Sequence, residues 1–122
     1  MDWPHVLFIE DDAAVAAAAR LLLKVAGYRV TTASCIAEAV EQAARHDDFC
    51  AVVSDYHLGP SENGVGAIAA VRKVRGHCLR AVLISGDTGL RLSEVQRGPD
   101  TTIASKPISA EALLALLPAA RP

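Results

Sequence analysis

The chain alternates between two hydrophobic rhythms. Five short runs are nearly continuous in apolar or β-branched residues: 5–9, 28–32, 50–54, 80–85 and 101–105. Between them, apolar residues recur at helical spacing. A strand that is apolar at successive positions fits a sheet covered on both faces. Residues 5–9 (HVLFI) therefore predict a buried strand, as do residues 50–54 and 80–85. Residues 28–32 alternate, and residues 101–105 give a weaker strand.

The punctuation supports this division. Residues 13–26 are rich in Ala and Leu, with Asp12 placed as N-cap and Gly27 as the stop. Ser34 is expected to cap a helix running through residue 45, with Glu38 near the capping-box position. Residues 55–63 form a loop containing Gly59-Pro60, and residues 64–75 a helix ending at Gly76. A turn over 86–89 leads to a short helix over 90–97, closed by Gly98-Pro99. Ser109 is placed to cap a last helix through residue 117, stopped by Pro118.

Five β/α units with short connections imply an α/β fold. The expected form is a single-domain, doubly wound, five-stranded parallel sheet with helices on both faces and right-handed crossovers. Ligands of such sheets bind outside the carboxyl ends of the strands, near the reversal of strand order. Glu10-Asp11-Asp12, Asp55, Ser85 and Lys106 all fall at predicted strand carboxyl ends.

Clustered carboxylates repel one another, and hard oxygen donors suit Mg²⁺, which needs only one or two of them beside a carbonyl, a phosphate oxygen and water. Asp11 and Asp55 can share a cation if their strands are neighbours, with Glu10 holding a coordinated water. The bland alternatives make Asp12 a helix cap, favoured for that residue, and Glu10 a solvated loop acid. Asp55 is also a potential nucleophile toward phosphorus. Lys106 and Ser85 supply a cation and a hydroxyl for phosphoryl oxygens. A cis peptide at Pro107 would aim Lys106 inward. The backbone carbonyl of His57, two residues after Asp55, is a further possible ligand. Gly64 and Gly66 precede no Gly-Lys-Ser/Thr sequence, so a helix start and close packing explain them better than a phosphate loop. The histidines at 5, 46, 57 and 77 are scattered, without zinc spacing.

Bulk properties narrow the function. The chain has 122 residues, 52% of them hydrophobic, and a formal net charge of −2, which suits one domain spanning 1–122 and excludes disorder. There is no basic run to recruit nucleic acid or an anionic membrane. Arg20, Lys24 and Arg29 interrupt the longest apolar stretch. The three cysteines, Cys35, Cys50 and Cys78, are expected to be reduced and at least half-buried in a cytoplasmic protein. The high content of alanine, with Arg exceeding Lys, points weakly to a bacterial genome rich in G and C.

Glu10-Asp11, Asp55, Ser85-Gly86 and Lys106-Pro107, in register over one predicted fold, resemble the receiver domain of bacterial two-component response regulators, the CheY-like (flavodoxin-like) fold. Residues 55–60, with Asn63-Gly64 beyond, resemble the family's loop after its acceptor. The resemblance spans nearly the whole chain. It implies that Asp55 accepts a phosphoryl group from a sensor histidine kinase or a histidine phosphotransfer protein. It further implies that Asp11, Asp55 and the His57 carbonyl ligate Mg²⁺, with Glu10 acting through water, and that Ser85 and Lys106 contact the phosphoryl group. Signalling would run through contacts with a downstream protein, by a monomer or weak homodimer, from the face of the fourth helix, fifth strand and fifth helix. The protein would not be an enzyme beyond handling its own phosphoryl group.

One departure stands out. The family usually carries Tyr or Phe three residues before the lysine, where this chain has Ile103. That raises a second reading, a pseudo-receiver that binds partners without phosphorylation. A third, an aspartate-based phosphatase, lacks the usual second Asp, since His57 stands there. With no effector domain after residue 117, the expectation is a stand-alone receiver or one excised from a larger chain.

Overall fold

The apolar runs become the inner strands of one all-parallel sheet. In the computed structural model, which describes residues 3–76, 79–86 and 100–119, β1 (His5–Ile9), β2 (Arg29–Ala33), β3 (Phe49–Asp55), β4 (Arg80–Ser85) and β5 (Thr101–Ser105) pair in the order β2-β1-β3-β4-β5. Helices α1 (Ala13–Val25), α2 (Ile36–Arg45), α3 (Gly64–Arg75) and α4 (Ala110–Leu116) connect and follow them. β1, β3 and β4 are buried nearly throughout, whereas β2 and β5 are sheet edges and mostly half-buried or exposed. The continuous apolar runs therefore mark the strands with neighbours on both sides.

Successive side chains of a strand face opposite ways, so β1 feeds two cores. Leu7 and Ile9 pack with Val52, Leu83, Ala39, Ala43, Ile68 and Val71 beneath α2 and α3. Val6 and Phe8 pack with Val53, Val82, Ile84, Leu23, Leu113 and Leu117 beneath α1 and α4. Ala39, Ala43 and Ala67 are the helix alanines fully buried against the sheet, whereas most alanines of α1 face outward. Among the described residues, no helix is long and apolar enough to cross a membrane.

The strand order reverses direction between β1 and β3, which places a crevice at their carboxyl ends. Asp12 caps α1, its side chain accepting from the N–H groups of Ala14 (2.9 Å) and Val15 (3.2 Å). Gly27 follows with φ 99°, the left-handed conformation that ends helices on glycine. Ser109 caps α4 through Ala112 N–H.

Several boundaries differ from expectation. β2 starts and ends one residue later than the alternating pattern indicated, because the Tyr28 N–H is taken by the Leu23 carbonyl at the end of α1 (3.0 Å) and the ladder begins with Arg29. β3 gains one residue at each end, which makes Asp55 its last residue. Ser34 is not the cap of α2: Cys35 holds that position without a side-chain hydrogen bond. Ser34 instead donates its N–H (2.7 Å) and hydroxyl (2.6 Å) to Glu38. The N-terminal N–H of Ile36 is satisfied from another loop, by Glu62 Oε1 at 2.9 Å. Local capping signals cannot show a partner so distant in sequence. Cys35 and Cys50 are free, half-buried thiols. The helix expected over 90–97, most of the turn before it, and Cys78 lie outside the described residues.

Candidate functional site

The crevice at the switch point is lined with acids. Ile9 pairs with Ser54 in the β1–β3 register, so the next residues, Glu10 and Asp55, come side by side. Glu10, Asp11 and Asp55 each offer a carboxylate oxygen, and the three lie within 4.8 Å of one another. Asp11 is exposed, while Glu10 and Asp55 are buried. Asp12, turned to its capping role, lies outside this group. The reading of Glu10 as a solvated loop acid fails: it is 6% exposed, and its Oε1 accepts the Asp12 N–H at 3.2 Å.

Lys106 arrives from the far side of the sheet. Its backbone N–H donates to the Ser85 carbonyl (2.8 Å), continuing the β4–β5 pairing. Its Nζ lies 3.0 Å from Asp55 Oδ2. The Lys106–Pro107 peptide is cis. The other oxygen, Asp55 Oδ1, is buried and has no hydrogen-bond partner among the described residues. A buried carboxylate oxygen left bare is costly, and a cation held among the three acids would relieve it. The donor set is all oxygen and largely anionic, which fits a hard divalent ion such as Mg²⁺.

Ser85, at the end of β4, is 1% exposed, and β4 adjoins β3 with Asp55 opposite Ile84. His57 is exposed in the loop after Asp55, where it bridges to Asn63 and its ring meets Tyr56 edge-on at 4.9 Å. The imidazole is not part of the acid cluster. The loop is held closed by Leu58 N–H to the Glu62 carbonyl (3.2 Å) and Gly64 N–H to the Tyr56 carbonyl (2.7 Å). Gly64 is packed so closely that a Cβ there would sit 2.5 Å from the Asp55 carbonyl oxygen and press on Leu83. The close-packing account of this glycine is thus the structural one. Ile103 is half-buried in β5 against the core.

The acids hold charge at a cost. Burial is the main cause that pushes Glu10 up from 4.5 to about 7; the negative charge of Asp55 adds to it, and the Asp12 N–H and Lys106 oppose it. Between those values the folded chain binds more protons than the unfolded chain, so stability falls as pH rises through that window. A bound divalent cation favours the ionised form and should flatten the decline. Thermal midpoints measured from pH 4.5 to 7 with and without Mg²⁺ check this. A decline equally steep in Glu10→Gln would assign it elsewhere.

A groove of about 270 Å³ opens from the same edge between α1 and α4, with Glu10, Asp55 and Lys106 at one end and Val15, Leu22 and Leu113 along its walls. On α1, Leu21 and Val25 are also well exposed.

No protein-family model and no curated protein sequence matches the chain, so the comparison rests on solved structures. A response regulator receiver protein from Sinorhizobium medicae superposes with a TM-score of 0.79 at 25% identity, covering 95% of this chain and 92% of that one. The chemotaxis protein CheY4 of Vibrio cholerae gives 0.78 at 26% identity, covering 92% and 93%. A Burkholderia pseudomallei response regulator, solved with a phosphorylated aspartic acid, a calcium ion and citrate, gives 0.80 at 26% identity, covering 94% of this chain and 66% of that one. The chain has the fold of the CheY-like response regulator receiver domains. That fold supports a phosphoacceptor role and is not the fold of a conventional enzyme.

Proposed function

We propose that residues 1–122 act as one receiver unit of a bacterial, cytoplasmic two-component or phosphorelay pathway, accepting a phosphoryl group on Asp55. The observation that carries this is the contact of Lys106 Nζ with Asp55 Oδ2 at 3.0 Å, beside three carboxylates gathered within 4.8 Å. An aspartate held against a lysine at the switch point of an open α/β sheet supports this reading, because that is where such sheets bind ligands.

In this reading an oxygen of Asp55 attacks the phosphorus of a phosphohistidine. The new O–P bond forms as the N–P bond breaks, and the imidazole leaves with the electron pair. Lys106 stays with the charge that moves from the carboxylate onto the phosphoryl oxygens. Ser85, one strand away, offers a hydroxyl to one of those oxygens. Glu10, Asp11, Asp55 and the His57 carbonyl would hold Mg²⁺, which neutralises phosphoryl charge when bound. The loop clamped by Gly64 keeps Asp55 and His57 in fixed relation.

The donor is a sensor histidine kinase or a histidine phosphotransfer protein. The apolar groove beside the acids gives such a partner a surface next to the reacting atoms. Output runs through contacts with a downstream protein. Ile103 favours a second reading, a pseudo-receiver that binds partners without phosphorylation, because an aliphatic side chain cannot repeat the rotation of a ring.

Incubation with acetyl phosphate and Mg²⁺ should add one phosphoryl group per chain, read by intact mass. Failure to form an adduct would defeat the proposal in favour of the pseudo-receiver. Beryllofluoride separates the output question: amide shifts in β5 and α4 show coupling past Ile103, and their absence shows a receiver whose output surface is decoupled.

A further inference from the structure

The amino-terminal ends of the inner strands carry a second ligating cluster. His5 opens β1, His46 follows the end of α2, and Asp48 precedes β3. The sequence scatters these residues, but the β1–β3 pairing begins with His5 opposite Phe49 and so gathers them. One ring nitrogen from each histidine and one Asp48 oxygen lie within 4.8 Å of one another. The two imidazoles meet edge-on at 5.1 Å, and Phe49 backs both, 4.2 Å from His5 and 5.6 Å from His46.

We propose that His5, His46 and Asp48 form a binding site for a divalent transition metal of the zinc class, separate from the acid crevice. Two imidazoles and one carboxylate are a borderline donor set, which such ions prefer and Mg²⁺ does not.

Of the two hydrogen bonds His5 makes, a metal would replace one and keep the other. His5 Nδ1 lies 2.8 Å from Asp48 Oδ1, and its Nε2 lies 2.7 Å from Thr31 Oγ1. In the neutral metal-free ring, Nδ1–H donates to Asp48, and Nε2 accepts from the Thr31 hydroxyl. A cation on Nδ1 requires the other tautomer, with the proton moved to Nε2. The Thr31 oxygen can then accept it, because a hydroxyl serves as donor or acceptor. Ligating histidines characteristically donate their second ring N–H to an oxygen in this way.

Asp48 is similarly provided for. Arg29 holds its Oδ2, leaving Oδ1 for the metal. An aspartate carboxyl is ionised at neutral pH, so Asp48 offers the metal an anionic oxygen. Burial holds His5 below its ordinary value, which favours the neutral form that a metal needs. His46 and Asp48 reach the surface, so water can complete the coordination. The Arg29 charge opposes the cation, so affinity is expected on the order of micromolar rather than the nanomolar range of dedicated zinc sites.

The test is a Co²⁺ titration of the full chain in excess Mg²⁺, followed by visible absorption, then displacement with Zn²⁺. One equivalent bound, with no thiolate charge-transfer band and roughly tenfold or greater weakening in His46→Gln and Asp48→Asn, is the expected result. A thiolate band would assign the metal to a cysteine and overturn the proposal. Competition by Mg²⁺ would assign it to the acid crevice and do the same. Should the variants fail to fold, the wild-type imidazole resonances decide: Zn²⁺ should shift those of His5 and His46 together and leave His57 in place, and any other pattern refutes the site.

Discussion

Asp55→Asn should abolish the acetyl-phosphate adduct while leaving the fold intact. The carboxamide matches the carboxylate in shape, so the burial beside Lys106 and the Glu10 neighbourhood are kept. What is lost is the proposed anionic nucleophile and one of the three acids gathered in the crevice. No other acid in the crevice is equivalently placed. Asp11 is exposed, Glu10 is held by the Asp12 N–H, and Asp12 is committed to capping α1. Incorporation should therefore fall to background, not to a partial level. The buried acids also repel one another, so the variant is expected to melt no lower than the parent without Mg²⁺. An adduct persisting in the variant would place the acceptor elsewhere. Loss of both adduct and folding would make the residue structural, and the two are separated by measuring intact mass and thermal midpoint on the same sample.

Gly64→Ala should be among the most damaging single methyl groups that can be added to the described residues. The new Cβ would lie 2.5 Å from the Asp55 carbonyl oxygen and 3.0 Å from Ser54 Oγ, and would press on Leu83 as well. Backbone cannot swing aside as a side-chain tip can, so either α3 lifts or β3 shifts. Overpacking of this kind costs ~2–3 kcal/mol, equivalent to a thermal midpoint lower by roughly 10 °C. Adduct formation should slow too, because the displaced carbonyl belongs to Asp55, the proposed acceptor. Gly66→Ala, two residues on, is the matched control. Its Cβ meets only Ile36 at 3.5 Å and Asn63 at 3.9 Å, ordinary contacts. Alanine favours a helix over glycine by ~0.5–1 kcal/mol, so the sign should reverse. Equal effects from the two substitutions would show that helix propensity, not the approach to Asp55, governs this turn.

Much of the architecture was legible because burial and periodicity act locally. The strands over 5–9, 80–85 and 101–105 and the helix over 64–75 stand where the apolar rhythm and the glycine stops put them. The gathering of Glu10, Asp11, Asp55 and Lys106 followed from one rule, that strand carboxyl ends converge at the switch point. What escaped was set by partners far apart in sequence. Glu62 caps α2 across 26 residues, and His5 meets Asp48 across 43. No window along the chain displays such pairs. The burial of Glu10 was hidden for the same reason: its solvent is excluded by neighbouring strands, not by its own loop.

The bond from Glu62 to Ile36 has an evolutionary reach. It fastens the segment that follows Asp55 to the start of a helix two elements earlier, so these stretches cannot drift separately. A lineage that loses the glutamate must recover another acceptor for the bare amide or shorten the helix by a turn. Among distant cousins of this protein, loss of the glutamate at 62 should therefore travel with a new side-chain acceptor near the start of this helix, even where the crevice acids are untouched.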